Sequence, residues 1–163
     1  MGSIESLFKF KSYKIDHLEF KMIHSIELLE FVGVIDPEFW EYSINIRRPI
    51  FMKSKNIYIG GIDCTLSLFP KEYNEKEKKK ENALVYLNGG IAGSFGVGDK
   101  RFENKIEQNL VRKQIPAILF PYLRATISSL LANSGFGSIN VPLINIHKLA
   151  EDSLKDVEVE IQD

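Results

Sequence analysis

Three side chains near the N-terminus, His17, Glu19 and His24, are of the types that bind metal ions. In a strand with a β-bulge, His17 and Glu19 would share a face, so a small metal-dependent enzyme is one hypothesis. His24, however, follows an apolar stretch, and no cysteine or further acid completes a spacing typical of zinc. The pattern therefore favours a structural role, and we predict no metal and no catalytic residue here.

The glycine-rich segment 93–98 raises the question of a phosphate site. In a P-loop, a lysine follows the last glycine directly, but Asp99 separates Gly98 from Lys100. The dinucleotide pattern GxGxxG also fails, because Arg101 stands where its last glycine is needed. We therefore predict no nucleotide cofactor and interpret these glycines as a flexible, bulged strand end and turn.

Reactive side chains are few in the rest of the chain, and aromatic ones are many. One Cys and three His stand beside 11 Phe, 6 Tyr and 1 Trp. Cys64 falls on the apolar face of a predicted strand, where a thiol is normally inert. No local signature supports a Ser/His/Asp or Cys/His set. The composition therefore predicts a protein that binds through apolar contacts, not an enzyme.

The charges are balanced, with 21 basic and 22 acidic side chains and a formal net charge of −1. No overall field therefore attracts nucleic acid or anionic lipid. No uninterrupted apolar run approaches the ~20 residues of a membrane span, and no signal peptide opens the chain. We expect a cytoplasmic protein without a nucleic-acid partner and without direct membrane insertion.

The first half of the chain alternates with a period of two, which predicts four antiparallel strands. In the first strand the apolar phase slips by one residue near Asp16, which indicates a β-bulge. The later strands are predicted over residues 42–46, 62–68 and 83–87. Between the last two, the Lys- and Glu-rich segment 71–80 is typical of a solvated hairpin loop.

After the glycine-rich segment, the apolar period changes to 3.6 and predicts one long helix. Pro116 and Pro121 should kink or split it, and Gly135 suits the left-handed conformation at its C-terminus. A shorter second helix is predicted over residues 146–154. Strands followed by helices predict an α+β domain, with a four-stranded antiparallel sheet and both helices on one face.

The last 13 positions differ in composition from the rest. Residues 151–163 contain six acids and a single lysine, and they show no apolar period of useful length. We therefore predict one domain over residues 1–150 and an acidic, frayed tail over 151–163.

Within the predicted long helix, the sequence ILFPYLR at 118–124 resembles the ILFPYxR signature of the SecB family of protein-export chaperones. Phe136 and the segments 139–141 and 144–146 are similar to the apolar-Asn-apolar pairs that lead into the last helix of that family. Trp40 resembles the tryptophan of its crossover loop, which precedes the second strand.

Asn-Gly-Gly-Ile at 88–91 resembles the end of the family's fourth strand, and the whole resemblance spans about residues 8–150. It implies a homotetramer, arranged as a dimer of dimers, of subunits with one four-stranded sheet and two helices. It also implies a non-enzymatic holdase that binds unfolded client polypeptides in apolar grooves without ATP and transfers them to the export motor SecA.

The resemblance assigns roles to individual side chains. By this resemblance, the tetramer contacts include Phe120 and Tyr122. Core packing or subunit contact is the alternative for each groove position. The client groove would contain Trp40, Tyr42, Ile44, Phe136, Leu143 and Ile146.

The chain departs from the family in its acidic residues. SecB proteins that serve SecA dock through carboxylates on the sheet, but the matching positions here hold Lys21 and Tyr86. Asp16 and Glu19 remain as candidates for motor docking. A chaperone dedicated to one client, such as the antitoxin of a toxin–antitoxin system, is therefore an alternative to a general export chaperone.

Overall fold

A computed structural model describes the chain over residues 7–30, 40–70, 72–136 and 156–163. The second helix predicted over 146–154 lies outside these ranges, as do the predicted groove residues Leu143 and Ile146. The α+β class is confirmed, since a single sheet precedes one long helix.

The sheet has six strands in the described ranges, so the prediction of four is wrong. They are β1 (Phe8–Met22), β2 (Trp40–Ile46), β3 (Ile50–Met52), β4 (Ile57–Leu68), β5 (Val85–Val97) and β6 (Glu160–Gln162). Their order is β1-β5-β4-β3-β6, and β2 pairs with β4 beside β3. β4 and β5 form the hairpin that the charged segment between them predicts.

The first unpredicted strand, β3, shares an edge of β4 with β2. β2 pairs antiparallel with the second half of β4, and β3 pairs with its first three residues. Pro49 lies between them and has no N–H to donate, which explains why one continuous strand is not formed. Three residues are too few for alternation to reveal such a strand.

The second unpredicted strand, β6, belongs to the segment predicted as a frayed tail. β6 runs parallel to β3, and the Glu160 N–H donates to the Pro49 carbonyl oxygen at 2.9 Å. Val157, Val159 and Ile161 alternate with acidic residues here, so a short period of two is present. Its brevity explains why the sequence alone favoured a tail.

β1 contains two β-bulges, of which one is predicted. The pairing register with β5 shifts between Ile15 and His17, which confirms the bulge at Asp16. A second shift lies between Phe10 and Ser12, so Lys11 is also an extra residue. The apolar alternation before this second bulge includes only Phe8 and Phe10, so the shift that the bulge causes is hard to see in the sequence.

Glycines lie inside strands, not at their ends as predicted. β5 continues through the glycine-rich segment to Val97, and β4 begins before Gly60 and Gly61. The reason is close packing of the helix against the sheet. A Cβ on Gly60 would stand 2.6 Å from the Ile115 Cγ2, and one on Gly93 would stand 2.7 Å from the Leu119 Cδ2.

A continuous helix, Asn104–Phe136, follows the sheet. It contains α-helical segments α2 (Asn104–Asn109) and α3 (Ile115–Leu131), and a π-helical segment, Leu110–Gln114, joins them. Before β2, a short helix, α1 (Ile26–Glu30), occupies part of the first connection.

The prolines do not split the long helix. Pro116 lies in the first turn of α3, where its missing N–H is tolerated beside the π-helical segment, and Pro121 lies inside α3. The prediction for the C-terminal end is confirmed, because Gly135 has a φ of 98°.

Buried polar contacts fix α2 on the sheet. The Tyr58 hydroxyl donates to the Glu107 Oε1 at 2.7 Å, and Arg101 donates from Nε and Nη2 to the same carboxylate at 2.6 and 2.8 Å. Burial, together with this hydrogen bond, raises the pKa of Tyr58 above its usual value. Gln108 forms two hydrogen bonds of 2.8 Å with the backbone of Val157, which connects α2 to the segment before β6.

Within the described ranges, one helix, Asn104–Phe136, has the length and apolar composition of a membrane span, with a mean hydropathy of 1.4 over its most apolar 18 residues. The core helix of a folded domain has the same properties. Ile115, Leu119 and Leu123 of this helix are at most 1% exposed against the sheet. This packing gives the apolar composition a role within the fold.

Candidate functional site

Three predicted groove residues, Trp40, Tyr42 and Ile44, alternate along β2 on the side of the sheet that the long helix covers. We call this side the inner face. Their partners on β4 are Leu68, Leu66 and Cys64. Trp40 and Ile44 are buried, at 5% and 9% exposure, whereas Tyr42 is 49% exposed. Tyr42 is therefore the member of this set that a binding partner can reach.

The indole of Trp40 is buried without a hydrogen bond. In the described ranges, its Nε1 has no acceptor. A buried donor without a partner destabilises the folded state by about 1–3 kcal/mol relative to a paired one. Phe136, at the end of the long helix, is also in the core at 5% exposure. A groove role for Trp40, Ile44 and Phe136 remains a prediction.

β2 has one free edge in the described part of the chain. Its hydrogen-bonding partner there is β4, on one side. An unpaired strand edge presents N–H and C=O groups that can pair with an added extended segment. The strand that contains Tyr42 thus has both an exposed aromatic side chain and unpaired backbone groups with which an extended segment could pair.

A second exposed aromatic surface lies at the other end of the sheet. Tyr122 of α3 is 40% exposed and stacks on Tyr13 of β1, with ring centroids 4.3 Å apart. Phe10 approaches the ring of Tyr122 to 5.9 Å. Phe120 differs, since it is 5% exposed and belongs to the core. The predicted tetramer contact at Phe120 and Tyr122 therefore has one exposed member.

On the outer face, opposite the long helix, Arg47 binds two carboxylates. Its Nη1 and Nη2 donate to Asp16 at 2.6 and 2.7 Å, and its Nε and Nη2 donate to Asp63 at 3.0 and 2.8 Å. The hydrogen bond from Arg47 lowers the pKa of Asp16 below its usual value, against the opposing effect of burial. Gly61 and Gly90 lie beneath the guanidinium, where a Cβ would collide with it.

Glu19, the other candidate for motor docking, is also ion-paired. Lys80 Nζ lies 2.9 Å from its Oε1 and 4.8 Å from the centre of the Tyr86 ring. The hydrogen bond from Lys80 lowers the pKa of Glu19. Both acidic candidates are thus ion-paired within the chain.

The metal hypothesis finds no support in the structure. Over residues 7–30, 40–70, 72–136 and 156–163, no three His, Cys, Asp or Glu side chains form a group that could hold a metal ion. Cys64 has no exposed surface, and burial raises the pKa of its thiol to about 11. Such a thiol is a poor nucleophile at neutral pH.

Sequence reasoning missed two residues of these surfaces. Arg47 gave no signal, because its partners Asp16 and Asp63 are 31 and 16 positions away. Tyr13 did give a sequence signal, since it continues the apolar alternation of β1, but nothing in the sequence indicated that it contacts Tyr122.

Comparison with known families assigns the chain to a family. The model of the family described as preprotein translocase subunit SecB matches residues 71–156, more than half of the chain. The chain belongs to the SecB family. This confirms the resemblance of the LFPY segment and of the later Asn-containing pairs.

A curated member of the SecB family, the protein-export protein SecB of Alkalilimnicola ehrlichii, is 25% identical over 115 residues. The match covers 71% of this chain and 56% of that protein, so it spans little more than half of the relative's length.

Among solved structures, the chain is similar to a Mycobacterium tuberculosis SecB-like chaperone in complex with a ChAD peptide from the HigA1 antitoxin. The TM-score is 0.56 at 11% identity, with 85% of this chain and 91% of that chain covered. The likeness supports a SecB-like fold.

Proposed function

We propose that this SecB-family chain is an ATP-independent holdase that binds unfolded or non-native polypeptides along β2. The observation that carries the proposal is Tyr42, half exposed between two buried apolar side chains on the inner face. It lies on a strand whose second edge is unpaired in the described part of the chain.

Such a surface can bind many sequences. Backbone hydrogen bonds to a strand edge do not depend on the client's side chains, and a rigid aromatic ring adds contact area at low entropic cost. A protein that binds the unfolded state alone shifts the equilibrium by mass action and needs no nucleotide.

The buried residues beside Tyr42 support this surface in the proposal. Trp40 and Ile44 fix the strand in the core on either side of Tyr42, and Phe136 packs in the same core cluster. The roles of Leu143 and Ile146 in the groove rest on the family resemblance.

We propose a homotetramer, a dimer of dimers, as the working form. Only 39% of the most apolar window of Asn104–Phe136 is buried within one chain. The stacked pair Tyr13 and Tyr122 lies exposed beside it. Exposed apolar surface of this kind favours association between subunits.

The test is an aggregation assay in which a reduced, unfolding protein is mixed with the chain without ATP. The wild type should suppress aggregation. Tyr42→Ala should bind the client about 30-fold more weakly, since truncating an aromatic hot spot removes about 2 kcal/mol of binding free energy. Tyr73→Ala, in the charged hairpin loop, is the matched control and should behave as wild type. Equal suppression by both variants would place the client elsewhere, and no suppression by the wild type would contradict the holdase function.

A second candidate, a chaperone dedicated to one client such as an antitoxin, is favoured by the ion pairs on the outer face. Asp16 and Glu19 are both ion-paired within the chain, so neither is a free carboxylate for SecA. The similar Mycobacterium tuberculosis structure contains an antitoxin peptide, which supports this reading. A dedicated chaperone should fail to suppress the aggregation of several unrelated unfolding proteins, whereas a general holdase should protect most of them.

A further inference from the structure

Three lysines of β1 lie on the outer face towards one end of the sheet, and two more lie in a turn at that end. Lys9, Lys11 and Lys14 lie on β1, and Lys53 and Lys55 lie in the turn between β3 and β4. All five are exposed. None of them forms an ion pair with another residue of the described ranges. We call these five residues the lysine surface.

The sheet register places the five together. Lys9 pairs with Gly96 of β5, and Gly96 pairs with Ile57 at the start of β4. The Val97 N–H donates to the Asn56 carbonyl oxygen at 2.9 Å, which fixes the turn at the same end. Because neighbouring strands are ~4.8 Å apart, the two groups of lysines are separated by roughly 10 Å.

Small residues of β5 lie beneath the lysines of β1. The Cε of Lys11 lies 2.6 Å from the point where a Cβ on Gly96 would stand, so the lysine stem lies over the glycine. The Ser12 and Ser94 hydroxyls are hydrogen-bonded at 2.9 Å beside it. The lysine surface thus presents ammonium groups, with hydroxyl groups beside them, that an extended segment can approach.

Two other cations of the outer face have acidic partners, unlike those of the lysine surface. Arg47 lies between Asp16 and Asp63, and Lys80 pairs with Glu19. The lysine surface thus groups positive charges without such partners, although the whole chain carries −1.

We propose that the lysine surface docks an acidic polypeptide segment of a partner protein. Charge complementarity gives the sign of the ligand, and a strand surface suits an extended chain. Nucleic acid fits less well, because the lysine surface holds no arginine or aromatic side chain for stacking on bases. The surface lies on the face opposite Tyr42, so the proposal stands independently of client binding.

The experiment measures the fluorescence anisotropy of a labelled 15-residue peptide of Glu, Asp, Gly and Ser mixed with the full chain. The triple variant Lys9→Glu, Lys11→Glu, Lys14→Glu should bind roughly ten-fold more weakly, because each exposed ion pair contributes a factor of about two to five. The control variant Lys76→Glu, Lys79→Glu, Lys105→Glu changes the net charge equally, at exposed lysines elsewhere. It should bind as the wild type does, and added salt should weaken binding to both.

Three outcomes would overturn the proposal. Equal weakening in both triple variants would show a general charge effect without a site. Tighter binding of a 15-nucleotide single-stranded DNA, or of phosphatidylserine vesicles, than of the acidic peptide would assign the surface to another class of partner. Self-association that the first triple variant abolishes would assign it to a second copy of the chain. Circular dichroism and the aggregation assay on the same variants separate these results from misfolding and from loss of holdase activity.

Discussion

Trp40 and Tyr42 stand two positions apart on one face of β2, yet the core encloses one and leaves the other half exposed. The sequence alone treats them alike, because alternation assigns a face and not a depth. The two aromatic residues therefore have different tests: truncating Trp40 measures the stability of the fold, and truncating Tyr42 measures the proposed client binding.

Trp40→Ala should lower the free energy of unfolding by about 3–5 kcal/mol, since it leaves a large cavity in the core. Trp40→Phe should be far milder, because it keeps most of the ring volume and removes an indole N–H that has no acceptor in the described ranges. Urea unfolding followed by far-UV circular dichroism measures both. Equal effects of the two substitutions would contradict the burial of the indole.

Arg47→Met should lower stability at pH 7 by about 1 kcal/mol, a modest value because these side chains are partly exposed. The hydrogen bond from Arg47 lowers the folded-state pKa of Asp16, so its contribution is present above the ordinary carboxyl pKa and is lost as pH falls through the folded value. The difference in the free energy of unfolding between variant and wild type should therefore become smaller as the pH falls from about 5 to about 3.

Urea midpoints at pH 7 and pH 3 measure this change. The control is Arg48→Met, whose ion pair with Glu158 is mostly exposed, and it should differ little from wild type at either pH. If the urea midpoint of Arg47→Met lies below that of the wild type by the same amount at both pH values, lost packing and not the ion pair causes the destabilisation.

The predictions made for single residues show where local sequence suffices. The bulge at Asp16 follows from the side-chain phase, because a slip of one residue changes every later position in the strand. The ion pairs of Arg47 do not follow from the sequence, since they depend on which strands become neighbours.

At the scale of elements, the glycines of β4 and β5 set the distance between the sheet and α3. Gly60 faces Ile115 and Gly93 faces Leu119, both at less than a normal Cβ contact. The sequence suggested a strand end and turn in the segment that contains Gly93, because it shows flexibility but not the helix that requires the space.

Gly60→Ala should destabilise the fold by about 1–3 kcal/mol, because the added Cβ would stand 2.6 Å from Ile115, a stiff β-branched side chain. Gly98→Ala is the matched control, with nothing within 4 Å of its Cβ. Thermal unfolding compares the two. Equal melting temperatures would show that α3 can move away from the sheet without loss.

A side-chain amide of α2 connects the long helix to the segment before β6. Gln108 pairs with the N–H and the C=O of Val157 as a neighbouring strand would. Period-two reasoning missed β6 because three residues carry too little pattern, and the partner that holds the segment is 49 positions away.

Gln108→Ala should release this segment and accelerate hydrogen exchange at the amides of Glu160 and Lys53, which donate across β3 and β6. Asn109→Ala, one position further along and exposed, is the control. Exchange measured by mass spectrometry on peptides from β3 and β6 gives the result. Unchanged exchange in the first variant would show that the β3–β6 pairing holds the segment without Gln108.

At the scale of the molecule, the two faces of the sheet differ in chemistry. The inner face holds the helix and the exposed tyrosines, and the outer face holds ion pairs and the lysine surface. The class, the family and the long helix could be predicted from the sequence, because a specific segment, ILFPYLR, and a clear 3.6-residue period carry them. The charge balance of the outer face could not, since it depends on side chains from four different parts of the chain.

Tyr122→Asp should dissociate the proposed tetramer, because the interface would bury an unpaired carboxylate beside Tyr13. Sedimentation equilibrium should show a lower mass for this variant than for wild type. Tyr73→Asp introduces the same charge in the hairpin loop and should leave the mass unchanged. If the Tyr122 variant keeps the wild-type mass, the stacked tyrosines lie outside the subunit contact.

The two bulges of β1 have a consequence for the solubility of a protein that is proposed to meet unfolded chains. β1 is a 15-residue strand at the margin of the sheet, and a flat strand of that length would template the addition of further copies. Lys11 and Asp16, the extra residues, interrupt its regular spacing at two points and place charges there. The irregular margin therefore protects the protein against fibre growth, the fate from which a holdase protects its clients.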